Sequence, residues 1–109
     1  MLSSSCLLFS AVDQPSDELV GFARVLTDGV FLALVLDVIV REAWRNRGVG
    51  AALLEALLAH PSLESVESVE LVCQPDLRSF YERWGFTDQV GGSRLMRRTT
   101  QESLLGPAS

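Results

Sequence analysis

The sequence contains no lysine: its nine basic residues are all arginine, and fourteen acidic residues outnumber them, leaving a formal charge of −5 over 109 residues. A surface of that sign argues against a nucleic-acid-binding module, because affinity for a phosphate backbone rests on clustered cations. Cationic chemistry must come from Arg, apart from any protonated His60, and Arg suits bidentate contact with phosphate oxygens. Cysteine is also scarce. Cys6 and Cys73 make neither a disulfide framework nor a metal-ligand spacing, so no metal is expected, and both read as reduced thiols of a cytoplasmic protein. Long apolar runs are missing too. Val30 to Val40 is broken by Asp37 and falls well short of the ~20 residues a membrane helix needs. Met1 to Phe9 lacks the positive start and apolar length of a signal peptide. No membrane association is therefore expected. Repeats and low-complexity segments are absent.

What is present suits one domain across residues 1–109, with 48% hydrophobic residues to fill a core. Cys6–Ala11 and Leu19–Leu26 read as strands separated by the turn cluster Asp13-Gln14-Pro15-Ser16-Asp17. Thr27-Asp28-Gly29 carries the Asp-Gly hairpin signal. Phe31–Val40 is a mostly apolar strand, expected to be central and covered on both faces. These three strands predict an antiparallel meander. Ala51–Ala59 is strongly helical in propensity and interrupted only by Glu55, so a largely buried helix is expected, ending at His60-Pro61. Val66–Cys73 is a further strand, with Val69, Leu71 and Cys73 on one face. Strand, loop, helix and strand over this distance imply a crossover and a parallel pair. Asp76 is placed to N-cap a second helix. Its apolar stripe is Leu77, Phe80, Tyr81 and Trp84, and Gly85 is its stop. Gly91-Gly92 predicts a turn, Arg94–Arg97 an edge strand and Thr99–Ser109 a frayed tail. The fold class is α/β, a mixed sheet with helices packed on it and a core over about residues 7–96.

The segment that carries chemistry is Arg45-Asn46-Arg47-Gly48-Val49-Gly50-Ala51, between a buried strand and a helix. The first N–H groups of a helix lack partners and the dipole there is positive. Two glycines let an anion approach the backbone closely, and two arginines add charge. The reading is a phosphate or pyrophosphate site, against the alternative of a simple tight turn. A P-loop is excluded because it requires lysine. The dinucleotide fingerprint fails at its third position, Leu53.

Arg45-x-x-Gly48-x-Gly50 resembles the Gln/Arg-x-x-Gly-x-Gly/Ala signature of the GNAT acetyltransferase superfamily. Phe80-Tyr81-Glu82-Arg83-Trp84-Gly85-Phe86 is similar to the Phe-Tyr-x-x-x-Gly-Phe segment of the same family, about one helix and one strand downstream. The resemblance covers roughly Leu7 to Met96. It implies a GNAT-like acyl-CoA N-acyltransferase fold, with acetyl-CoA in a gap where the central strand splays from its parallel neighbour. By the same resemblance the pantetheine arm pairs with the backbone of Val38, Ile39 and Val40. The pyrophosphate would rest on Arg45, Asn46, Arg47, Gly48, Val49, Gly50 and Ala51. Gln74 stands where the family usually has an Asn that contacts the cofactor arm.

The implied activity is transfer of an acetyl group from acetyl-CoA to a primary amine by direct attack in a ternary complex. Tyr81 matches the tyrosine that protonates the departing thiolate in many members. A phenol is a reasonable donor to a thiolate because their pKa values are not far apart. Periodicity alone makes Tyr81 a core residue. Bases in the family often project from the central strand, at positions that fall here on the apolar Leu34 and Leu36. Asp37 is the strand's one acid, and period-2 alternation points it to the other face, although the bulge that family members often have in this strand would change that. A structural hydrogen-bonding role for Asp37, with proton removal through ordered water, is the reading taken, against the alternative of Asp37 as the base. His60 reads as a C-terminal helix cap or surface residue, Cys73 as core, and Trp44 as a cover over the core.

Family members usually begin with a strand and two helices that build one wall of the acceptor pocket, whereas the meander here starts almost at once. The resemblance therefore bears on the cofactor half and leaves the acceptor half open. Small bacterial and plastid GNAT proteins, some acting on arylalkylamines or protein lysines, share the look of Gly21–Val25 and Leu36–Val40. The competing readings are a non-catalytic acetyl-CoA-binding or interaction module and a nucleotide binder using the same loop. A homodimer is a family-level expectation.

Overall fold

The computed structural model describes residues 5–105; Met1–Ser4 and residues 106–109, which hold the end of the expected tail, lie outside the described residues. Alternating apolar residues form β1 (Ser5–Asp13) and β2 (Glu18–Thr27), paired antiparallel. In the turn between them the Ser16 hydroxyl donates to Asp13 at 2.6 Å. β2 pairs antiparallel with β3 (Leu32–Val40). The connection is not a two-residue hairpin. The Asp28 carboxylate accepts the N–H groups of Val30, Phe31 and Leu32 at 2.8, 2.8 and 3.2 Å, and this wraps a longer loop around one side chain.

From β3 the chain passes through α1 (Val49–Ala59) and α2 (Pro61–Glu64) to β4 (Ser68–Leu71), which lies parallel to β3. The sheet order is β1-β2-β3-β4, the mixed α/β architecture the sequence implies. A 3-10 turn at Pro75–Leu77 leads into α3 (Arg78–Glu82). The core lies between one face of the sheet and the helices. Ala23, Val25 and Ala33 from the strands meet Leu54 and Leu57 of α1, all at 0% exposure. Val69, Leu71 and Cys73 pack against that cluster, as their alternation predicts.

Several expectations are corrected. α1 buries one stripe (Leu53, Leu54 and Leu57) and exposes Ala52, Glu55, Ala56 and Ala59, because it lies on the sheet by a single face. β3 is covered on that side only; Leu36 and Ile39 on β3 are 42% and 48% exposed. His60-Pro61 ends α1 but also starts α2. Pro occupies the first helical position, where its missing N–H costs nothing, and His60 Nδ1 accepts the Ser62 N–H at 3.1 Å. Asp76 caps nothing, since α3 follows Leu77 without a side-chain cap. Arg94–Arg97 forms no strand, because no described strand runs alongside it to complete a ladder.

Candidate active site

Two features of β3 open a cavity at its C-terminal half. Its pairing with β4 spans only Leu32–Val35. Immediately beyond, the register with β2 jumps from Val25↔Val35 to Arg24↔Asp37, leaving Leu36 as a bulge. Val38, Ile39 and Val40 therefore lie past the end of the parallel pair, on an edge of β3 that β4 does not cover. The cavity so formed has a volume of about 770 Å³.

Its second wall is the loop into α1. Asn46 at φ 63 and Gly48 at φ 82 both take the left-handed conformation that turns the chain back onto the sheet. Asn tolerates this region better than most side chains and Gly carries no penalty there. Gly48 is the N-cap of α1 and offers no side-chain cap. The N–H groups of Val49, Gly50 and Ala51 consequently lack intrahelical partners, and all three residues line the cavity. A Cβ at Gly21 would lie 3.0 Å from Val49 Cγ1 and from the Ile39 carbonyl oxygen, so a glycine on β2 lets the start of α1 settle this close to the sheet.

The third wall is α3. Tyr81 lines the cavity at 9% exposure, held edge-on between Phe80 (centroids 5.1 Å apart) and Phe86 (5.9 Å). Its hydroxyl has no hydrogen-bond partner among the described residues and is not itself sealed off, so it opens onto the cavity. Burial pushes the Tyr81 pKa up from its ordinary value of 10.0, and the neighbouring Cys73 adds in the same direction. The phenol is therefore neutral at physiological pH.

The cavity brings together Val38, Ile39, Val40, Arg45, Asn46, Gly48, Val49, Gly50, Ala51 and Tyr81, which the sequence places far apart. Two residues of the expected set do not line it. Arg47 turns aside and stacks its guanidinium over the Trp44 ring at 4.8 Å. Gln74 is exposed at the start of the 3-10 turn, its side chain unused as a cap. Trp44, read as a cover for the core, instead lines the cavity, with Asp76, Leu77, Phe80 and Arg83. The signal for Trp44 was its place just before the glycine loop. For Phe80 it was adjacency to Tyr81. Nothing in the sequence marks Arg83.

The bulge at Leu36 overturns the alternation expected for Asp37. It moves Asp37 onto the face of Leu34, opposite Arg24, whose guanidinium it binds at 2.7 Å. Asp37 does not line the cavity, which fits a structural role. His60 makes an edge contact with Phe9 at 5.7 Å, away from the site. Among the described residues no cluster of side chains could hold a metal ion, and no helix is long and apolar enough to cross a membrane.

The family model described as the acetyltransferase (GNAT) domain matches residues 4–88. The chain is similar to serotonin N-acetyltransferase 2, chloroplastic, of Oryza sativa subsp. japonica, at 35% identity over 85 residues, covering 75% of this chain and 42% of that protein. It is also similar to an uncharacterized N-acetyltransferase of Pyropia yezoensis, at 28% identity over 97 residues, covering 87% of this chain and 56% of that one. The chain thus spans about half the length of the curated relatives it matches. Among solved structures, a candidate GNAT-family acetyltransferase from Xanthomonas campestris pv. campestris superposes with a TM-score of 0.75 at 35% identity, over 87% of this chain and 65% of that one. A candidate acetyltransferase from Deinococcus radiodurans R1 gives 0.69 at 28% identity, over 84% of this chain and 60% of that one.

Proposed function

The chain belongs to the GNAT acetyltransferase family, and from that premise we propose that it binds acetyl-CoA in the cavity beside β3 and transfers the acetyl group to a primary amine. The observation that carries this is one cavity joining the uncovered edge of Val38–Val40, the partnerless N–H groups of Val49–Ala51 and the neutral Tyr81 hydroxyl.

The residues fit the group. An extended amide-bearing arm finds backbone donors and acceptors along β3. A pyrophosphate finds the positive end of α1 and Arg45, whose Nε donates to the Val40 carbonyl at 3.3 Å. Acetyl-CoA, when bound, supplies an activated thioester. Tyr81 then holds a proton where a leaving thiolate needs one. Asp76 is the one carboxylate on the cavity wall among the described residues, and it is exposed; removal of the amine proton is assigned to ordered water. Names among the relatives support an amine acceptor, and a small arylalkylamine is the first class to try. Cys6 and Cys73, both free, support a reducing compartment, and the cytoplasm is proposed.

The test is thermal unfolding with and without acetyl-CoA, with NAD as control and Gly50→Glu as the blocked site. Ligand at a hundred times its Kd stabilises by about 2.7 kcal/mol. A shift with acetyl-CoA, lost in the variant and absent with NAD, supports the reading; no shift in folded protein sinks it. Binding without transfer across a panel of amines would favour a non-catalytic acetyl-CoA-binding module.

A further inference from the structure

The arginines of this acidic chain divide by location. Arg24, Arg41 and Arg78 are each engaged by carboxylates, Asp37, Glu18, and Glu82 with Asp88 respectively, and none of the three lines the large cavity. Arg45 and Arg83 line it, and neither forms an ion pair among the described residues. They come from different walls, the loop into α1 and the end of α3. Arg45 is anchored to the end of β3 through the Val40 carbonyl. Arg83 follows α3, its guanidinium 5.5 Å from the centre of the Phe80 ring. That ring in turn faces the first turn of α1, where a Cβ on Gly50 would lie 3.5 Å from Phe80 Cζ. Phe80 is thus a platform that touches the first turn of α1 and carries a guanidinium with no ion-pair partner among the described residues.

We propose that Arg83 is a specificity-determining residue that binds a phosphate monoester beyond the pyrophosphate, namely the ribose 3′-phosphate that distinguishes coenzyme A from dephospho-coenzyme A. The inference rests on the acetyl-CoA reading of the cavity. The end of α1 supplies only about half a positive charge, and Arg45 adds a full one from the cavity-lining loop. Those groups are matched by the pyrophosphate diester. A further, more strongly anionic monoester needs its own cation, and Arg83 is the remaining arginine on the cavity wall among the described residues. Its planar fork suits two phosphate oxygens, and stacking on Phe80 fixes the plane of that fork before the ligand arrives.

The experiment is calorimetric titration of the full chain and of Arg83→Gln with coenzyme A and with dephospho-coenzyme A. The native chain is expected to prefer coenzyme A by roughly tenfold, the worth of one charge-assisted contact. Arg83→Gln should weaken coenzyme A to the dephospho level and leave dephospho-coenzyme A unchanged. Arg83→Lys should recover part of the preference, and raised salt should erode it in the native chain. Equal affinity of the native chain for both ligands overturns the proposal without any variant. So does an equal loss for both in Arg83→Gln, which would place Arg83 on the shared pyrophosphate. If the native chain binds neither, the acetyl-CoA reading itself has failed, and this inference with it.

Discussion

The Cα of Gly50 faces the edge of the Phe80 ring: a Cβ built on Gly50 would lie 3.5 Å from Phe80 Cζ, an ordinary contact and not a clash. The glycine loop and the aromatic motif, thirty positions apart, are therefore opposite walls of one cavity. The protein's own packing does not demand glycine at position 50. On the proposed acetyl-CoA reading, glycine there serves close approach of the bound anion to the backbone.

This separates two glycines. Gly50→Ala is expected to keep or raise stability, by up to about 1 kcal/mol from helix propensity, while weakening acetyl-CoA binding. Gly48 meets no neighbour but sits at φ 82, so Gly48→Ala should destabilise by about 1–2 kcal/mol. Thermal unfolding and ligand titration of both variants check this. Equal loss of stability in the two would remove the distinction.

Gly21 is the steric opposite. Its Cβ would meet a backbone oxygen and a Val49 methyl at 3.0 Å. Gly21→Ala should cost about 1–3 kcal/mol, as overpacking does, and should lower ligand affinity as well by lifting the start of α1 from the sheet. Denaturant titration measures the first effect and calorimetry the second. A neutral substitution would show that α1 has room to move.

Tyr81→Phe should lower kcat by about a hundredfold or more, the usual scale for a lost general acid, with acetyl-CoA affinity unchanged. Its hydroxyl has no partner among the described residues, so stability should hold. Undiminished turnover would return Tyr81 to the core and nothing more.

Asp37→Asn should leave turnover unaltered. The Arg24–Asp37 pair is partly exposed, with side chains at 49% and 34%, so its loss should cost less than about 1 kcal/mol. A double-mutant cycle with Arg24→Met measures the coupling. A large fall in kcat with a displaced acid limb in the pH–rate profile would instead make Asp37 the base.

Asp28 ties the β2–β3 loop by accepting three backbone N–H groups, which hold its carboxyl below the ordinary value of 3.8. A depressed folded-state pKa contributes stability that is fully present above the ordinary carboxylate pKa and is lost as pH falls through the lower folded value. Melting temperature should therefore drop through that acid window in the native chain and drop less in Asp28→Asn. Parallel curves for the two proteins would refute this.

Much of the outline was legible in the sequence. The alternation of β1 and β2, the propensity of α1, the stops at Pro61 and Gly85 and the two motifs are local signals, each written within a few consecutive residues. They fixed the order of elements, the family and most of one cavity wall. Other features depended on partners the sequence does not show. Arg94–Arg97 could be an edge strand only with a ladder to join, and no described strand runs beside it. The Leu36 bulge reversed the face of Asp37, and a bulge is a property of two strands in register, not of one. Trp44 and Arg83 became cavity residues only because β3 outruns β4 and Phe80 of α3 meets the first turn of α1. Period and propensity act along the chain and can be read from it. Register, splay and the meeting of distant walls are set by packing between elements, so only the tertiary structure decided them.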